Sequence, residues 1–344
     1  MSIRAAGACA AAVGSLLLAT AATAEVYELP PPGTDVIGAI TTVEARAADT
    51  LLDIGRRHGV GYEEMVRANP DVDVWLPGEG TRVVLPTRYI LPPGPRRGLV
   101  LNLPEYRLYY FPTPKPGEPA MVLTFPVSIG RMDWATPLGD TRVVSKVVRP
   151  SWYPPESVRK EHAEDGRPLP RIVPPGPDNP LGEFAMRLAL PGYLIHGTNR
   201  PAGVGMRVTH GCVRMYPEDI EFLFGRVAVD TPVRIVNEPI KLGWDGDRLL
   251  MEAHRPLDVA PVTDDQDEPV VEEAVAIDAA GEPGREPPKA SRLTALTRQF
   301  VAATDARPGE LDWEVAEALL ERSDGIPAAV GGAIKNAATS AASE

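Results

Sequence analysis

Cysteine is almost missing from this chain: two in 344 residues, Cys9 and Cys212. Cys9 falls inside an N-terminal leader. Met1 to Ala24 reads as a secretory signal, with Arg4 as the positive n-region, an apolar stretch from Ala10 to Ala22, and Ala22-Thr23-Ala24 as an A-x-A cleavage site. The residues before Cys9 are Ala-Gly-Ala rather than a Leu-Ala-Gly lipobox, which argues against lipid attachment. The mature chain is expected to begin at Glu25 with a single thiol. That excludes an intramolecular disulfide in an exported protein and leaves Cys212 as a free, reactive group. Past the leader no apolar run approaches the roughly 18 residues of a membrane-crossing helix, so no transmembrane segment is expected. Basic charge is short as well, 35 Lys+Arg against 47 Asp+Glu, which argues against a nucleic-acid partner.

The chemistry that is present gathers between His196 and Arg214, where two histidines, several glycines and Cys212 lie together. A thiolate is a nucleophile, and a neighbouring imidazole makes thiolate available near neutral pH. His196 follows the strand-like run Tyr193-Leu194-Ile195 and His210 precedes Cys212 by one glycine, so a turn between them can bring both rings to one sulfur. Gly211 lets the backbone approach a substrate carbonyl, and the amides of Gly211 and Cys212 are natural oxyanion donors. The stretch holds Arg200, Arg207 and Arg214 and no acid, a cationic lip on an acidic protein that suits an anionic peptide through arginine–carboxylate pairing. Two other readings compete. Cys212 can be a small buried hydrophobe, or His196, His210 and Cys212 can supply the three protein ligands of a catalytic zinc. The chain has no second mature cysteine, no His-x-x-x-His and no carboxylate in the loop, so neither a metal nor another cofactor is expected. His162 and His254 have no such company and read as surface or packing histidines.

His196 followed by Thr209-His210-Gly211-Cys212-Val213-Arg214 resembles the signature of the L,D-transpeptidases of bacterial cell-wall synthesis, with their YkuD-type catalytic domain. The resemblance runs from about Leu99 to about His254 and takes in Asn102 to Tyr109, Pro126 to Gly130, Thr136-Pro-Leu-Gly139 and Pro174 to Gly182. It implies a periplasmic cysteine acyltransferase. In that scheme Cys212 attacks the carbonyl of the third residue of a peptidoglycan stem, His196 takes the thiol proton, and D-alanine leaves behind a thioester that an amine then attacks. Gly197 contributes its carbonyl to fix the tautomer of His196, while His210 orients the thiol or His196, or supports the oxyanion with Gly211. Arg214, Thr209, Arg207, Asn199, Arg200, Trp152 and Tyr153 are the expected substrate contacts. The expected partners are stem peptides and glycan strands. The acceptor stays open: a diaminopimelate amine gives a 3,3 cross-link, a lysine of an outer-membrane protein or lipoprotein gives an anchored envelope, and water makes the enzyme a carboxypeptidase or amidase. A non-catalytic cell-wall scaffold is the alternative of a different class.

The fold expected around these residues is mainly β. The runs 98–102, 107–111, 120–127, 141–148, 184–190 and 233–236 are β-rich and punctuated by Pro and Gly, as in a sandwich. Pro217 to Phe224 reads as a short helix after the catalytic loop, with Pro at its first position and acids in its first turn. This catalytic domain is expected to span 98–255. Residues 38–87 form a small α+β module similar to LysM, on Asp49-Thr50-Leu51, Asn69-Pro70, Gly78 and Leu85-Pro86. Deleting residues 25–87 is expected to weaken binding to sacculi while sparing turnover of small soluble substrates. The Pro-rich stretch 150–182 reads as a long, nearly structureless insertion, either a stiff lid over the substrate or a loop that only covers the edge of the sandwich. After an acidic Pro/Gly-rich linker, 258–290, comes a largely disordered tail with two short helices within 291–327.

Overall fold

A computed structural model of the chain describes residues 25–131, 134–257 and 289–334; the expected leader and the linker residues 258–288 lie outside the described residues. In chain order the N-terminal part contains β1 (Glu25–Glu28), β2 (Val36–Glu44), α1 (Leu51–Arg57), α2 (Tyr62–Ala68) and β3 (Arg82–Ile90). The central part contains β4 (Gly98–Asn102), β5 (Arg107–Phe111), β6 (Met121–Pro126), β7 (Ile129–Gly130), β8 (Gly139–Val148), α3 (Glu156–Glu164), β9 (Phe184–Leu188), β10 (Leu194–His196), β11 (Arg207–Thr209), β12 (Val213–Arg214), α4 (Pro217–Phe224) and β13 (Pro232–Val236). The last part contains β14 (Ile240–Asp245), β15 (Arg248–Ala253), α5 (Lys289–Thr304), β16 (Gly309–Leu311), α6 (Trp313–Arg322) and β17 (Ala328–Ala333).

Nine strands form one sheet in the order β1-β6-β5-β4-β13-β8-β9-β10-β12. The pairs β4–β13 and β10–β12 are parallel and the other neighbours antiparallel. Leu99, Leu101, Leu108 and Phe125 from one half share a single core with Val143, Met186, Ile195 and Val213 from the other, so the sheet closes on itself as a sandwich does. A register shift in β8 between Val143 and Ser145, the local bend an irregular ladder produces, sits between the halves. Strand β4 is apolar without alternation because both its faces are covered. Leu99 and Leu101 point into that core, while Val100 joins Tyr109 and Val122 under Ile37 and Tyr89 of the β2–β3 hairpin.

The N-terminal module places α1 and α2 between the antiparallel strands β2 and β3, around a core of Leu51, Ile54, Val60, Met65, Val83 and Leu85. Helix α1 begins at a capping box: Thr50 Oγ1 accepts from the Asp53 N–H at 3.1 Å and Asp53 Oδ2 accepts from the Thr50 N–H at 3.1 Å. The module is welded to the catalytic sheet. Strand β1, which precedes it, pairs with β6 from Glu25↔Thr124 to Glu28↔Met121. Fully buried Arg107 on β5 donates to both carboxylate oxygens of Glu64 at 2.8 Å, to the Gly59 carbonyl at 3.0 Å and to Thr124 Oγ1 at 3.2 Å, under the Tyr89 ring at 4.2 Å. Arg56 clasps Glu218 of α4 through two bonds of 2.7 and 2.8 Å.

Two sequence expectations need correction. The insertion 150–182 is not structureless: it carries α3, its ends are tied by the Trp152↔Val173 bridge, and buried Asn179 donates to the Pro150 carbonyl at 2.8 Å while accepting from the Leu181 N–H. The two expected C-terminal helices exist, but strands β16 and β17 lie between and after them and build a four-stranded sheet, β14-β15-β17-β16, with β14 and β15. Ile240, Trp244, Leu249 and Met251 therefore pack with Leu296, Leu319, Leu320 and Val330 in a core of their own. Sequence order alone assigned β14 and β15 to the catalytic domain, because a strand's partner 80 residues away leaves no local trace. At the junction of all three parts, buried Lys241 is ion-paired with Glu105 and, at 2.9 Å, with Glu252, whose carboxylate also meets His254 at 2.7 Å and the Ile90 N–H at 2.7 Å. Glu105, Glu252 and His254 lie close enough to group around a cation, and the Lys241 ammonium supplies that charge. Of the two readings of His254, surface or packing, the second holds: it is buried in this network.

Candidate active site

The loop from His196 to Arg214 leaves the sheet at β10 and returns at β12, and the parallel pairing sets Ile195 opposite Val213 and His196 opposite Arg214. Register partners in adjacent strands leave the same face, so the imidazole and the guanidinium are neighbours, and Cys212, just before β12, feels the Arg214 charge as well. Further bonds lock the return: Met215 N–H to the His196 carbonyl at 2.9 Å, Thr209 Oγ1 to the Cys212 carbonyl at 2.6 Å, and a reciprocal pair between Ser128 and Arg214 at 2.8 and 3.0 Å. Helix α4 braces the loop from beneath through buried Ile220, whose Cγ2 lies 3.1 Å from where a Cβ on Gly197 would sit.

His196 is buried, and its Nδ1 lies 2.6 Å from the Gly197 carbonyl. A carbonyl only accepts, so the bond requires the proton on Nδ1 and leaves Nε2 with its lone pair. Burial first, and then the Arg214 cation, push this imidazole down to about 3, against the Gly197 and Leu181 carbonyls. Burial also pushes the Cys212 thiol above its ordinary value, opposed by the Leu194 N–H and by Arg214, both of which favour the thiolate. The Cys212 sulfur lies 3.7 Å from the Gly192 carbonyl, and the thiol and the imidazole, each within the field of Arg214, are both neutral at rest. Such a pair holds a base that stays unprotonated through the physiological range and a sulfur that becomes anionic only as its proton is removed.

His210 faces a different partner. Its Nε2 lies 3.0 Å from Glu161 Oε2 on α3, and its ring meets Trp134 edge-on at 5.2 Å. Gly211 takes φ +94°, and a Cβ there would meet Tyr193 Cε1 at 2.7 Å. Its carbonyl accepts from Thr136 Oγ1 at 2.8 Å, and the same hydroxyl accepts from the Gly130 N–H at 3.0 Å, so Thr136 staples the β7 turn to the catalytic loop. The two histidine rings are committed to separate anchors, the Gly197 carbonyl and the Glu161 carboxylate.

The remaining sequence candidates divide. Arg214 sits in the cluster with His196 and Cys212. Thr209 and Arg207 make bonds within the protein, Arg207 Nε to the Gly130 carbonyl at 3.0 Å. Asn199 is exposed and donates to the Pro177 carbonyl at 3.0 Å, fastening the loop to the insertion, and Arg200 is exposed beside it. Trp152 is half-buried at the foot of the insertion, and Tyr153 is 66% exposed. Sequence reasoning missed Glu161 and the stapling role of Thr136. A signal for the first existed: Pro154-Pro155 before Glu156-Ser-Val-Arg-Lys marks a helix start, with Pro155 as N-cap, an acid in the first turn and Val158 buried.

Residues 96–235 match the L,D-transpeptidase catalytic domain, YkuD. The chain is 40% identical over 250 residues to "Probable L,D-transpeptidase YcfS" of Escherichia coli (strain K12), covering 71% of this chain and 77% of that protein. It is likewise 40% identical over 247 residues to "Probable L,D-transpeptidase ErfK/SrfK" of Salmonella typhimurium, covering 70% and 78%. With "Probable L,D-transpeptidase YbiS" of Escherichia coli (strain K12) it shares 38% identity over 253 residues, 72% of this chain and 81% of that one.

Proposed function

This chain belongs to the L,D-transpeptidase family, the acyltransferases built on the YkuD catalytic domain, and from that premise we propose that Cys212 is the nucleophile of a periplasmic enzyme acting on peptidoglycan stem peptides. The observation that carries this reading is the 2.6 Å bond from His196 Nδ1 to the Gly197 carbonyl, because it leaves Nε2 as a base on the face shared with Arg214, whose charge also acts on Cys212. As Cys212 Sγ bonds to the carbonyl carbon of the third stem residue, its proton passes to His196 Nε2. The tetrahedral oxyanion is held by backbone amides near Gly211 and Cys212. Collapse breaks the C–N bond, the same imidazole delivers the proton to the leaving D-alanine amine, and a thioester remains. An acceptor amine then loses its proton to His196 as it displaces the thiolate. Arg214, desolvated and with Arg200 nearby, meets a substrate carboxylate.

Residues 38–87 are proposed as a LysM-like module. The paired strands around two helices support that, and Trp75 and Leu76, 60% and 80% exposed, give it an apolar surface for a glycan strand. The test is mass spectrometry of muropeptides after purified protein is incubated with sacculi. Loss of D-alanine with appearance of 3,3-linked dimers is expected from the parent and not from Cys212→Ala. Tripeptides without dimers would make water the acceptor, and unchanged D-alanine release by Cys212→Ala would sink the cysteine mechanism. Activity that vanished with a chelator and returned with zinc would favour the metal alternative instead.

A further inference from the structure

We propose that Glu161 is the positioning residue of His210, so that helix α3 of the insertion, and not the catalytic loop alone, completes the active site. The inference rests on the acyl-transfer reading above and adds to it a residue that lies 49 positions before the histidine it serves. Glu161 is held from two sides: Arg131 donates to Oε1 at 2.8 Å and to Oε2 at 3.1 Å, and Oε2 lies 3.0 Å from His210 Nε2. Arg131, first, and His210, second, hold the carboxyl at about 2, so it is ionised under working conditions. An ionised carboxylate only accepts, so His210 Nε2 must carry a proton and donate it.

That one bond fixes both the rotation of the ring and its tautomer, as the Gly197 carbonyl does for His196. Nδ1 of His210 is left as the working nitrogen. Trp134 at 5.2 Å limits the ring on one side, and the following peptide is immobilised by Thr136 on the Gly211 carbonyl, so the imidazole has few other ways to sit. Glu161 is carried by the insertion, whose own ends are locked by Asn179 and the Trp152↔Val173 bridge. The insertion therefore reaches the chemistry through a charged hydrogen bond, and its docking and the competence of His210 are one event.

A double-mutant cycle on the mature chain tests this, with D-alanine release from a soluble disaccharide-tetrapeptide as the rate. Glu161→Ala is expected to lower kcat roughly ten- to a hundredfold, within the ~10²-fold that misplacing a group beside the reacting atoms costs, with KM changed less than about twofold. Glu161→Gln, which keeps an acceptor oxygen and loses the charge, should fall between parent and Ala. In a His210→Ala background, Glu161→Ala should cost nothing further, because its route to the reaction is gone. Alkylation of Cys212 by iodoacetamide should stay within about twofold of the parent in each Glu161 variant, separating positioning from general damage to the loop. Losses that add in the double variant, or a Glu161→Ala enzyme with parental kcat, would overturn the inference. Failure of the underlying reading looks different: D-alanine release by the parent would then survive Cys212→Ala.

Discussion

Replacing Glu64 by Gln should destabilise the catalytic domain, although Glu64 lies in the N-terminal module. Arg107 has no exposed surface, and every donor bond named above runs to Glu64, Gly59 or Thr124. Burial disfavours its charge, but the Glu64 carboxylate outweighs that and keeps the guanidinium protonated. The Gln variant keeps the shape and one acceptor oxygen, yet leaves a buried cation without its counter-ion. Breaking a buried pair from one side costs about 3–5 kcal/mol, and the retained oxygen places Glu64→Gln near the lower end, about 3 kcal/mol. At about 2–4 °C per kcal/mol for a domain of this size, the thermal midpoint should fall by roughly 6–12 °C. The same variant should slow turnover of a small soluble substrate, since α2 also holds the catalytic loop: the Tyr62 and Glu63 N–H groups donate to the Val204 and Gly205 carbonyls at 3.1 and 3.2 Å. Gly61 and Gly205 approach so closely that a Cβ on either would strike the other's backbone. Circular dichroism melting and initial rates of D-alanine release measure the two effects. A midpoint shift under about 2 °C with parental turnover would refute the reasoning and restore the module as a detachable anchor. Removing residues 25–87 is by the same reasoning expected to cost turnover as well as binding, because the deletion also strips β1 from β6 and uncovers Val100, Tyr109 and Val122.

Other outcomes follow from the site and its supports. With the His196 imidazole held at about 3, the base is not titrated near neutrality, so kcat/KM should show no acid limb above about pH 5 and should rise toward alkaline pH as the thiol ionises; an acid limb near 6.5 would place the base on another group. Buried Asp219 in the first turn of α4 is raised to about 8, chiefly by burial. A carboxyl raised by folding stabilises most below its unfolded value and loses that contribution as pH climbs through the folded one. Asp219→Asn should therefore gain on the parent by up to about 1.4 kcal/mol per pH unit between about pH 4 and 8 in urea unfolding, and parallel curves would show the group is not buried as described. A Cβ on Gly130 would lie 2.0 Å from the Trp134 carbonyl and 2.9 Å from Gly211 Cα. Gly130→Ala should lower acyl transfer about 100-fold by shifting the loop near the nucleophile, while Gly225→Ala, with no neighbour closer than 3.8 Å, stays within about twofold; equal rates for both would contradict that geometry.

By itself the sequence determined what depends on neighbours along the chain. The spacing His210-Gly-Cys212 marks a candidate nucleophile, the runs at 98–102 and 107–111 become strands with those bounds, Pro217 opens α4, and Thr50 with Asp53 opens α1. Capping, turn chemistry and alternation act over a few residues, so they can be read from a few residues. Only the tertiary structure decided which distant groups meet. Glu161 with His210, Glu64 with Arg107, and Arg56 with Glu218 are charges that look like solvated surface in a one-dimensional reading and become specific once burial removes other partners. Strand β17, Ala-Ala-Val-Gly-Gly-Ala, carries little strand propensity, yet it must be small: a Cβ on Gly331 would lie 1.9 Å from the Glu310 carbonyl. It is a strand because β15 and β16 are there to pair with it, and that pairing drew β14 and β15 out of the catalytic domain into a sheet of their own.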